Sequence, residues 1–410
     1  MRRVVSVWLP TLATDRLRRH GSVSSAQAEA AQAGADGPLV TTAHDGRRMV
    51  VAAVDASAAA LGLRSGMPLA QAQALVVGLD AGIHPAEPEA DAAALGRLAA
   101  WCLRYAPLSA ADAPDGIWLD VTGCAHLHGG ETKLLRDLVG RLAAQGIAAQ
   151  AAVADTPGAA HAVARSFSSS HCGRELGGVA VVPIGRAETA LAPLPIEALR
   201  IPANIADGLR LLGFEHVAQL AATPRAPLTR RFGPLVATRL DQALGAVFEP
   251  ITPVFPPDLV QARLGFVEPL LTAKSLAAVI ALLTGTVCAN MEKAGQGARR
   301  LDLLFERVDC SIQCLRIGTA RPSRDARHLA RLLGEKLERV DPGLGVEAMR
   351  LVVPLAEPLA YTQASASLSG AEPMGQDVSV LMDRLENRLG ARRVWRAEAV
   401  ESDVPERSVR

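Results

Sequence analysis

The side chains of this sequence that could support phosphate chemistry are carboxylates close to predicted strands. The candidates are Asp15, Asp115 and Asp120. Nucleotide transfer needs carboxylates to hold two divalent cations, which activate the attacking hydroxyl and neutralise charge on the transferred phosphate. Magnesium accepts only oxygen ligands in near-octahedral geometry, so apolar side chains cannot replace lost carboxylates. Whether such acids meet in one place decides between an enzyme and a protein without this chemistry.

Other possible metal ligands are isolated in the sequence. His126 and His128 alternate, which can suit a metal, but no further ligand cluster lies nearby. The six cysteines show no paired CxxC spacing, and no second pair follows Cys310 and Cys314 to complete a zinc site. We therefore predict free thiols, no bound metal and no cofactor.

The N-terminal part alternates strands with helices, which predicts a small α+β sheet covered on one side. The predicted strands are Arg3–Leu9, Leu39–Thr42, Met49–Val54, Ile117–Val121 and Ile147–Ala154. The predicted helices are Ala56–Leu61, Glu89–Arg104, Gly130–Gln145 and Pro157–Phe167, and either Asp155 or Thr156 caps the last of them.

A helical module over residues 194–245 and a proline-rich connector precede a second α+β unit. Its predicted elements are helix Leu276–Ala294, strands Arg299–Val308 and Ser311–Thr319, helix Arg324–Arg339 and strand Ala348–Val353. In the tail, apolar residues at helical spacing predict an amphipathic helix that docks on the core or on a partner: Val378, Leu381, Met382, Leu385 and Leu389.

Composition limits the possible partners. The net charge is +1 and aromatic residues make up 3% of the chain, so contact with nucleic acid must come from local basic patches rather than from a basic field or stacked rings. The N-terminal apolar run is too short for a signal peptide, and no later stretch is expected to span a bilayer. These observations predict a cytoplasmic protein without membrane contact.

Several segments resemble, in order, the DinB branch of the Y-family DNA polymerases. Leu61–Pro68 is similar to the family's fingers-to-palm segment, Ile117–Thr122 to its central palm strand, and His126–Gly129 to the segment that follows. Leu228–Gly233 and Leu240–Gly245 resemble its thumb. The resemblance implies an α+β multidomain fold with right-hand polymerase architecture: a ferredoxin-like palm, small fingers, a helical thumb and an α+β little finger.

The same resemblance divides the chain into modules. The palm-like module comprises residues 1–12 and 75–165, and the fingers-like module residues 13–74. A thumb-like module over 166–248 and a linker over 249–257 precede a little-finger-like, DNA-binding domain over 258–356. Residues 357–410 form a partner-binding tail with the amphipathic helix.

The positions that hold metal ions in the family are degenerate in this sequence. The alignment implied by the resemblance puts Trp8 at the aspartate that ends the first strand and Pro10 at a backbone-ligating position that is often a second aspartate. The aspartate–glutamate pair of the palm motif becomes Asp115-Gly116. Asp115 is either a surviving ligand or a turn residue beside Pro114, and alone it cannot hold two ions.

The nucleotide-binding positions are degenerate in the same way. The resemblance places Ala56 and Ala59 at the tyrosine and arginine that contact the triphosphate, and His161 at the palm lysine. Ala13 stands at the bulky residue that excludes a ribose hydroxyl. Metal, phosphate and sugar recognition are thus lost from one pocket while the scaffold motifs remain.

Within the Y family, the pairing of a retained core with lost acids resembles the ImuB-type proteins. The segment Trp8–Leu17 and the segment Val404–Arg407 are also similar to theirs. The resemblance implies an SOS-induced accessory protein that brings an error-prone replicative-type polymerase and a RecA-like partner to damaged DNA at the sliding clamp.

The predicted contacts with DNA are sequence-independent and lie in the second α+β unit, which resembles the little finger. Ten basic and six acidic residues lie between Arg299 and Arg339, and this bias favours backbone contacts over a solvated face of mixed charge. The predicted contact residues are Arg316, Thr319, Arg321 and Arg324, with Arg299 and Arg300, and more weakly the thumb residues Arg230 and Arg231. In the tail, Gln363 and Leu368 fit a degenerate clamp-binding peptide that lacks the terminal apolar pair.

The sequence therefore predicts a non-catalytic polymerase homologue that acts as a scaffold in translesion synthesis. One alternative is an active translesion polymerase with relocated metal ligands, for which Asp15, Asp115 or Asp120 would serve. The other is a protein-only adaptor that does not bind DNA, which the near-neutral charge favours.

Overall fold

The chain forms two compact units in a computed structural model that describes residues 2–21, 37–166, 178–255, 259–359 and 379–389. The units comprise Met1–Val254 and Phe255–Arg410, and their boundary falls inside the predicted linker at 249–257. The clamp-peptide residues Gln363 and Leu368 and the segment Val404–Arg407 lie outside the described residues.

The first unit contains a five-stranded sheet and a three-stranded sheet. The strands are β1 (Val4–Trp8), β2 (Val40–His44), β3 (Met49–Val54), β4 (Ile83–Pro85), β5 (Leu108–Asp112), β6 (Gly116–Asp120), β7 (Gln150–Ala154) and β8 (Val179–Val181). The helices are α1 (Leu12–Gly21), α2 (Ala56–Ala60), α3 (Leu69–Leu75), α4 (Pro88–Cys102), α5 (Glu131–Ala143), α6 (Pro157–Arg165), α7 (Ala187–Leu191), α8 (Ala203–Arg210), α9 (Val217–Ala221), α10 (Arg225–Phe232) and α11 (Pro234–Leu244).

The larger sheet has the strand order β5-β6-β1-β7-β8. β1 pairs antiparallel with both β6 and β7, and α4 and α5 provide the connections of a β-α-β-β-α-β unit. This is the ferredoxin-like palm expected from the sequence. The predicted apolar face of α5 is confirmed, since Leu134, Leu135, Leu138 and Leu142 are all buried.

Both faces of this sheet are covered, and the prediction of a sheet covered on one side was wrong. Val5 and Val7 face a core shared with α4 and α5, whereas Ala152 and Ala154 face α6 and the helical module. Small residues allow the second layer to approach closely. A Cβ built on Gly158 of α6 would lie 2.9 Å from the Cα atom of Ala243 in α11.

Arg3 joins the palm sheet to its surroundings at the start of β1. Its buried guanidinium donates to Glu131 at 2.7 Å and to Asp155 at 2.7 Å, and also to the carbonyl oxygen of Val182 at 2.8 Å. Burial lowers the pKa of Arg3, but the two carboxylates outweigh burial and raise it above its ordinary value. The N-cap of α6 is Thr156, which accepts from the Ala159 N–H group.

The smaller sheet has the order β3-β2-β4, and its strands β2 and β3 fall within residues 13–74, the predicted fingers-like module. β2 and β3 form the predicted antiparallel pair, and Val40 and Val51 are fully buried between them and α2. Leu79 and Ile83 pack in the same core, so the core of this sheet extends past residue 74.

The second unit is a four-stranded antiparallel sheet in the order β11-β10-β12-β9. Its elements are β9 (Val260–Leu270), α12 (Ala273–Lys293), β10 (Gln296–Arg307), β11 (Ile312–Ser323), α13 (Ala326–Gly334), β12 (Val346–Pro358) and α14 (Ser379–Leu389). The strands run several residues beyond their predicted ends, and helix 324–339 is divided into α13 and a 3-10 turn at Leu337–Arg339.

The helix α12 is long and apolar enough to cross a membrane by length and composition, contrary to the expectation that no stretch would be. Leu276, Ile280, Leu283 and Val287 on one of its faces are buried against the sheet, and Met291 continues that face. Packing in the core of the second unit accounts for the apolar character of α12.

Candidate functional site

The carboxylate of Asp115 lies in the loop between β5 and β6, beside the end of β1. β1 ends at Trp8, which is paired with Gly116 across the sheet. The indole Nε1–H of Trp8 donates to Asp115 Oδ2 at 2.8 Å, and the guanidinium of Arg165 donates to Oδ1 at 2.6 Å. Asp115 is therefore the turn residue that the sequence suggested, and both its carboxylate oxygens already accept strong donors.

Arg165, at the end of α6, places a positive charge between two carboxylates. Besides Asp115, it lies 3.9 Å from Asp112 Oδ2, and its guanidinium carbon is 5.9 Å from the centre of the Trp8 ring. A permanent cation of the chain thus neutralises the acids of this cleft. Sequence reasoning missed Arg165 and Asp112, because β5, which carries Asp112, was not predicted as a strand.

His161 lies one helical turn before Arg165 and completes this cluster. Its Nδ1 is 3.0 Å from Asp112 Oδ2 and 3.0 Å from the guanidinium of Arg165. The nitrogen donates to Asp112 when it carries a proton and accepts from Arg165 when it does not. Burial is the main cause that lowers the pKa of His161 below 6.5, and Arg165 acts in the same direction against the opposing effect of Asp112. The imidazole is neutral at neutral pH.

Gly116 has little space for a side chain. A Cβ atom at this position would lie 2.9 Å from the guanidinium of Arg165 and 3.0 Å from both the carbonyl and the carboxylate of Asp112. The volume that a carboxylate would need beside Asp115 is therefore filled by Arg165.

A cavity of about 650 Å³ opens beside these residues, between the β5–β6 loop, α6 and the helical module. Arg200 and Arg239 line its other side, and both are paired with the buried carboxylate of Glu249 at 2.7 and 3.2 Å. The arginines that face the cavity are each bound to acids, so its positive charge is largely compensated. Neither arginine nor Glu249 was singled out from the sequence.

The other acids considered as metal ligands lie elsewhere. Asp120 is at the opposite end of β6 from Gly116, where it pairs with Arg2 at 3.0 Å. Four residue steps along a strand separate the two ends by about 13 Å, whereas the ions of a two-metal site lie about 3.5–4 Å apart. Asp15, on α1, accepts from Thr11 and from the Ala148 N–H group, and burial raises its pKa. The structure does not bring these acids together.

Within the described ranges, no group of three or more His, Cys, Asp and Glu side chains is arranged to hold a metal ion. His128 instead packs against the Tyr105 ring, with centroids 5.3 Å apart. The other positions predicted to be degenerate carry no side-chain metal ligand: Pro10, Ala56 and Ala59 are exposed and Ala13 is half-buried.

The predicted DNA contacts of the second unit fall into two groups. Arg316 and Thr319 were expected on the surface, but both are buried. Arg316 donates to both carboxylate oxygens of Asp302 at 2.6 Å, and the Thr319 hydroxyl donates to the Ala298 carbonyl. The cause is the cross-strand register, which places Arg316 directly opposite Asp302. Both side chains are thus engaged within the sheet.

The remaining candidates are at least partly accessible. Arg321 is exposed and Arg324 is half-buried. Arg299 is half-buried and donates to Glu357 and to the Thr319 carbonyl, and Arg300 beside it is also half-buried. In the helical module, Arg230 and Arg231 are both exposed at the end of α10.

The tail helix α14 docks on the edge strand β11 through polar residues. Asn387 binds both the N–H and the carbonyl of Gly318, and Asp383 accepts from the Ala320 N–H. Leu381 and Leu385, from the predicted apolar face, remain exposed. Val378 and the side chain of Leu389 lie outside the described residues.

Comparison with known proteins identifies the relatives of this chain. Protein ImuB from Caulobacter vibrioides strain NA1000 / CB15N is 44% identical over 349 residues, which cover 85% of this chain and 74% of that protein. The chain belongs to the ImuB family. ImuB from C. vibrioides strain ATCC 19089 shows the same identity and coverage.

Further comparisons concern the Y-family core of this ImuB-family chain. The impB/mucB/samB family model matches residues 21–165. Among solved structures, an insertion ternary complex of Dbh DNA polymerase is similar with a TM-score of 0.47 at 18% identity, and DinB from Sulfolobus solfataricus with 0.46 at 17%. Each similarity covers 86% of this chain and 98% of the other. The identity to ImuB confirms the predicted relationship to ImuB-type homologues, and the sheets and helices of the two units confirm the α+β multidomain fold.

Proposed function

We propose that this ImuB-family protein is a non-catalytic polymerase homologue that serves as an accessory scaffold in SOS-induced translesion synthesis and mutagenesis. The observation that supports this most directly is the state of Asp115. Its two oxygens accept from Trp8 and Arg165, and Arg165 also fills the space over Gly116. A cation supplied by the chain lies beside Asp112 and Asp115, and this supports a protein that does not hold the two divalent ions on which the family's chemistry depends.

In this proposal the scaffold links damaged DNA, the sliding clamp, an error-prone replicative-type polymerase and a RecA-like accessory protein. The partners follow from the ImuB-type resemblance. For DNA, support comes from the accessible arginines of the second unit, of which Arg321 is the most exposed of the predicted β11 residues. Contacts of this kind bind the phosphate backbone without reading sequence.

Primer extension beside DNA binding tests the proposal. The purified protein, in excess over a primer–template and with magnesium or manganese, is expected to give no extension, and Asp115→Ala should match the wild type. The protein should bind the same DNA with an affinity that falls as salt rises. Extension that Asp115→Ala abolishes would establish an active polymerase and overturn the proposal.

A protein-only adaptor is a second candidate, favoured by the burial of Arg316 and Thr319 and by the net charge of +1. Under this function the protein would bind its protein partners with unchanged affinity whether or not DNA is present. The salt titration separates the two, because only the DNA-linked scaffold predicts measurable DNA affinity with a steep salt slope.

A further inference from the structure

The outer edge of β11 carries backbone groups that the sheet itself leaves unpaired. β11 is at one end of the strand order and pairs only with β10 among the described strands. Every second residue of an edge strand points its N–H and C=O groups away from the sheet. Of these outward groups, the Arg316 carbonyl, both groups of Gly318 and the Ala320 N–H are bound by side chains instead of by a strand.

Two residues of α14 supply most of these partners. The Asn387 amide donates to the Gly318 carbonyl at 2.7 Å and accepts from the Gly318 N–H at 3.0 Å, as a neighbouring strand would. One oxygen of Asp383 accepts from the Ala320 N–H, and the other lies 2.8 Å from His328 Nε2. The Ala320 N–H and the His328 imidazole together form a site that suits an anionic oxygen, and the Asp383 carboxylate fills it.

The surroundings of this edge are rich in cations. Lys336 Nζ donates to the Arg316 carbonyl at 2.7 Å and lies 3.3 Å from Asn387 Oδ1. Arg321 continues β11 as an exposed cation, and Arg327 is exposed on α13. The nearby acid Glu335 is paired with Arg384 of α14 at 2.9 Å. Withdrawal of α14 would remove the carboxylate of Asp383 and leave Lys336, Arg321 and Arg327 near the backbone edge, with Glu335 still paired with Arg331 at 3.5 Å.

The exposure of the apolar side chains shows that α14 is not held as a core helix. Leu381 is 55% exposed, whereas Asp383 is 3% exposed and faces β11. An amphipathic helix that docks by its polar face gains little from apolar burial, so its attachment depends on a few hydrogen bonds. Another ligand that binds the same edge of β11 can therefore displace α14.

We propose that the β11 edge at 316–320 is a binding site for the sugar-phosphate backbone of DNA and that α14 covers it until DNA displaces the helix. The inference rests on the DNA-binding part of the proposed function. While α14 is docked, the carboxylate of Asp383 takes the place of a phosphate oxygen at the Ala320 N–H, and the Asn387 amide binds the N–H and carbonyl of Gly318. Displacement frees the polar side of α14, whose apolar side is already exposed in the docked state.

The test uses the full chain and a fluorescent primer–template at fixed ionic strength. Asp383→Ala combined with Asn387→Ala removes the hydrogen bonds to β11 and should tighten DNA binding about 5- to 30-fold, which corresponds to roughly 1–2 kcal/mol. Glu386→Ala is the matched control, because it removes the same charge from α14 and leaves Asp383 and Asn387 in place. The control should change affinity less than about twofold.

Hydrogen exchange of the wild type provides a second readout that does not depend on a variant. Saturating DNA should increase exchange in residues 379–389 and leave 316–320 protected, because DNA replaces the helix on the same amides. Retained protection of 379–389 at saturation, with equal affinity of the double variant and the wild type, would overturn the inference while the DNA-binding scaffold stands.

Two further outcomes have distinct meanings. If neither the wild type nor the double variant binds DNA, the DNA-linked function and this inference fall together. If the double variant self-associates without any gain in DNA affinity, the edge pairs with another strand, and the assignment to DNA is refuted.

Discussion

Replacement of Arg316 by methionine tests whether this arginine holds the second sheet together or contacts DNA. Its guanidinium makes two hydrogen bonds of 2.6 Å with Asp302, and the two side chains are only 4% and 2% exposed. Removal of one partner of a buried ion pair costs about 3–5 kcal/mol, because the other charge remains buried without compensation. We expect Arg316→Met to destabilise the second unit by that amount.

The same geometry predicts what a compensated change would do. Joint replacement of Asp302 by leucine and Arg316 by methionine removes both charges and keeps apolar volume in the sheet, so it should be nearly neutral or stabilising. The difference between the single and double variants isolates the uncompensated carboxylate. Arg321→Ala is the control on the same strand, and since Arg321 is exposed it should change stability by no more than about 0.5 kcal/mol.

The assay is thermal unfolding together with hydrogen exchange of β10 and β11, because a chain of two units need not unfold in one step. A loss of 3–5 kcal/mol corresponds to roughly 6–20 °C in the melting temperature of the second unit. In DNA binding, Arg321→Ala should reduce the salt slope by about one. If Arg316→Met left stability unchanged and weakened DNA binding as a phosphate contact would, the assignment of Arg316 to the sheet would be refuted.

Three further predictions concern the first unit. Arg3→Ala should lower the free energy of unfolding, measured by chemical denaturation, by about 3–5 kcal/mol, since Glu131 and Asp155 lose their buried partner. A change under about 1 kcal/mol would contradict a stabilising role for Arg3 at the start of β1. The pKa of His161 is lower in the folded chain than in the unfolded chain, so below pH 6.5 the unfolded chain binds a proton at His161 more readily than the folded chain. The contribution of neutral His161 to the free energy of unfolding is therefore complete above pH 6.5 and is lost as the pH falls below it. Melting temperatures of His161→Gln should therefore decline less than those of the wild type below pH 6.5, and parallel curves would refute the assignment. Gly158→Ala should lower the free energy of unfolding by about 1–3 kcal/mol through contact with Ala243, whereas helix propensity alone predicts a gain of about 1 kcal/mol. The sign of the change in chemical denaturation shows whether the contact or the propensity dominates.

Much of the palm could be predicted because its elements carry strong local patterns. The leucines of α5 recur at helical spacing, and the apolar run of β1 ends at a proline, so both elements were located within a few residues. β5 and β9 were missed. β5 has only five residues, and the burial pattern of β9 shows mostly exposed or half-buried side chains, so neither strand presents a marked apolar run.

The altered positions of the candidate site could be predicted from the sequence, but the side chains that surround them could not. The alignment of motifs identified Trp8, Gly116 and His161 as altered positions. It could not show that Arg165 lies between Asp112 and Asp115, because that contact joins a helix end to a hairpin loop far away in the chain. The burial of Arg316 could not be predicted for a similar reason, since a single strand does not reveal that Asp302 lies across the hairpin.

The crowding at Gly116 has a consequence for how this protein can change over generations. A glutamate substituted at this position would place its first side-chain atom 2.9 Å from the Arg165 guanidinium and 3.0 Å from Asp112, so the arginine side chain must shift to admit it. Replacement of Arg165 would remove the cation that pairs with Asp115 at 2.6 Å and lies 3.9 Å from Asp112, and the two carboxylates would then lose this compensation. A metal-binding palm therefore needs changes at both positions, and neither substitution alone supplies it.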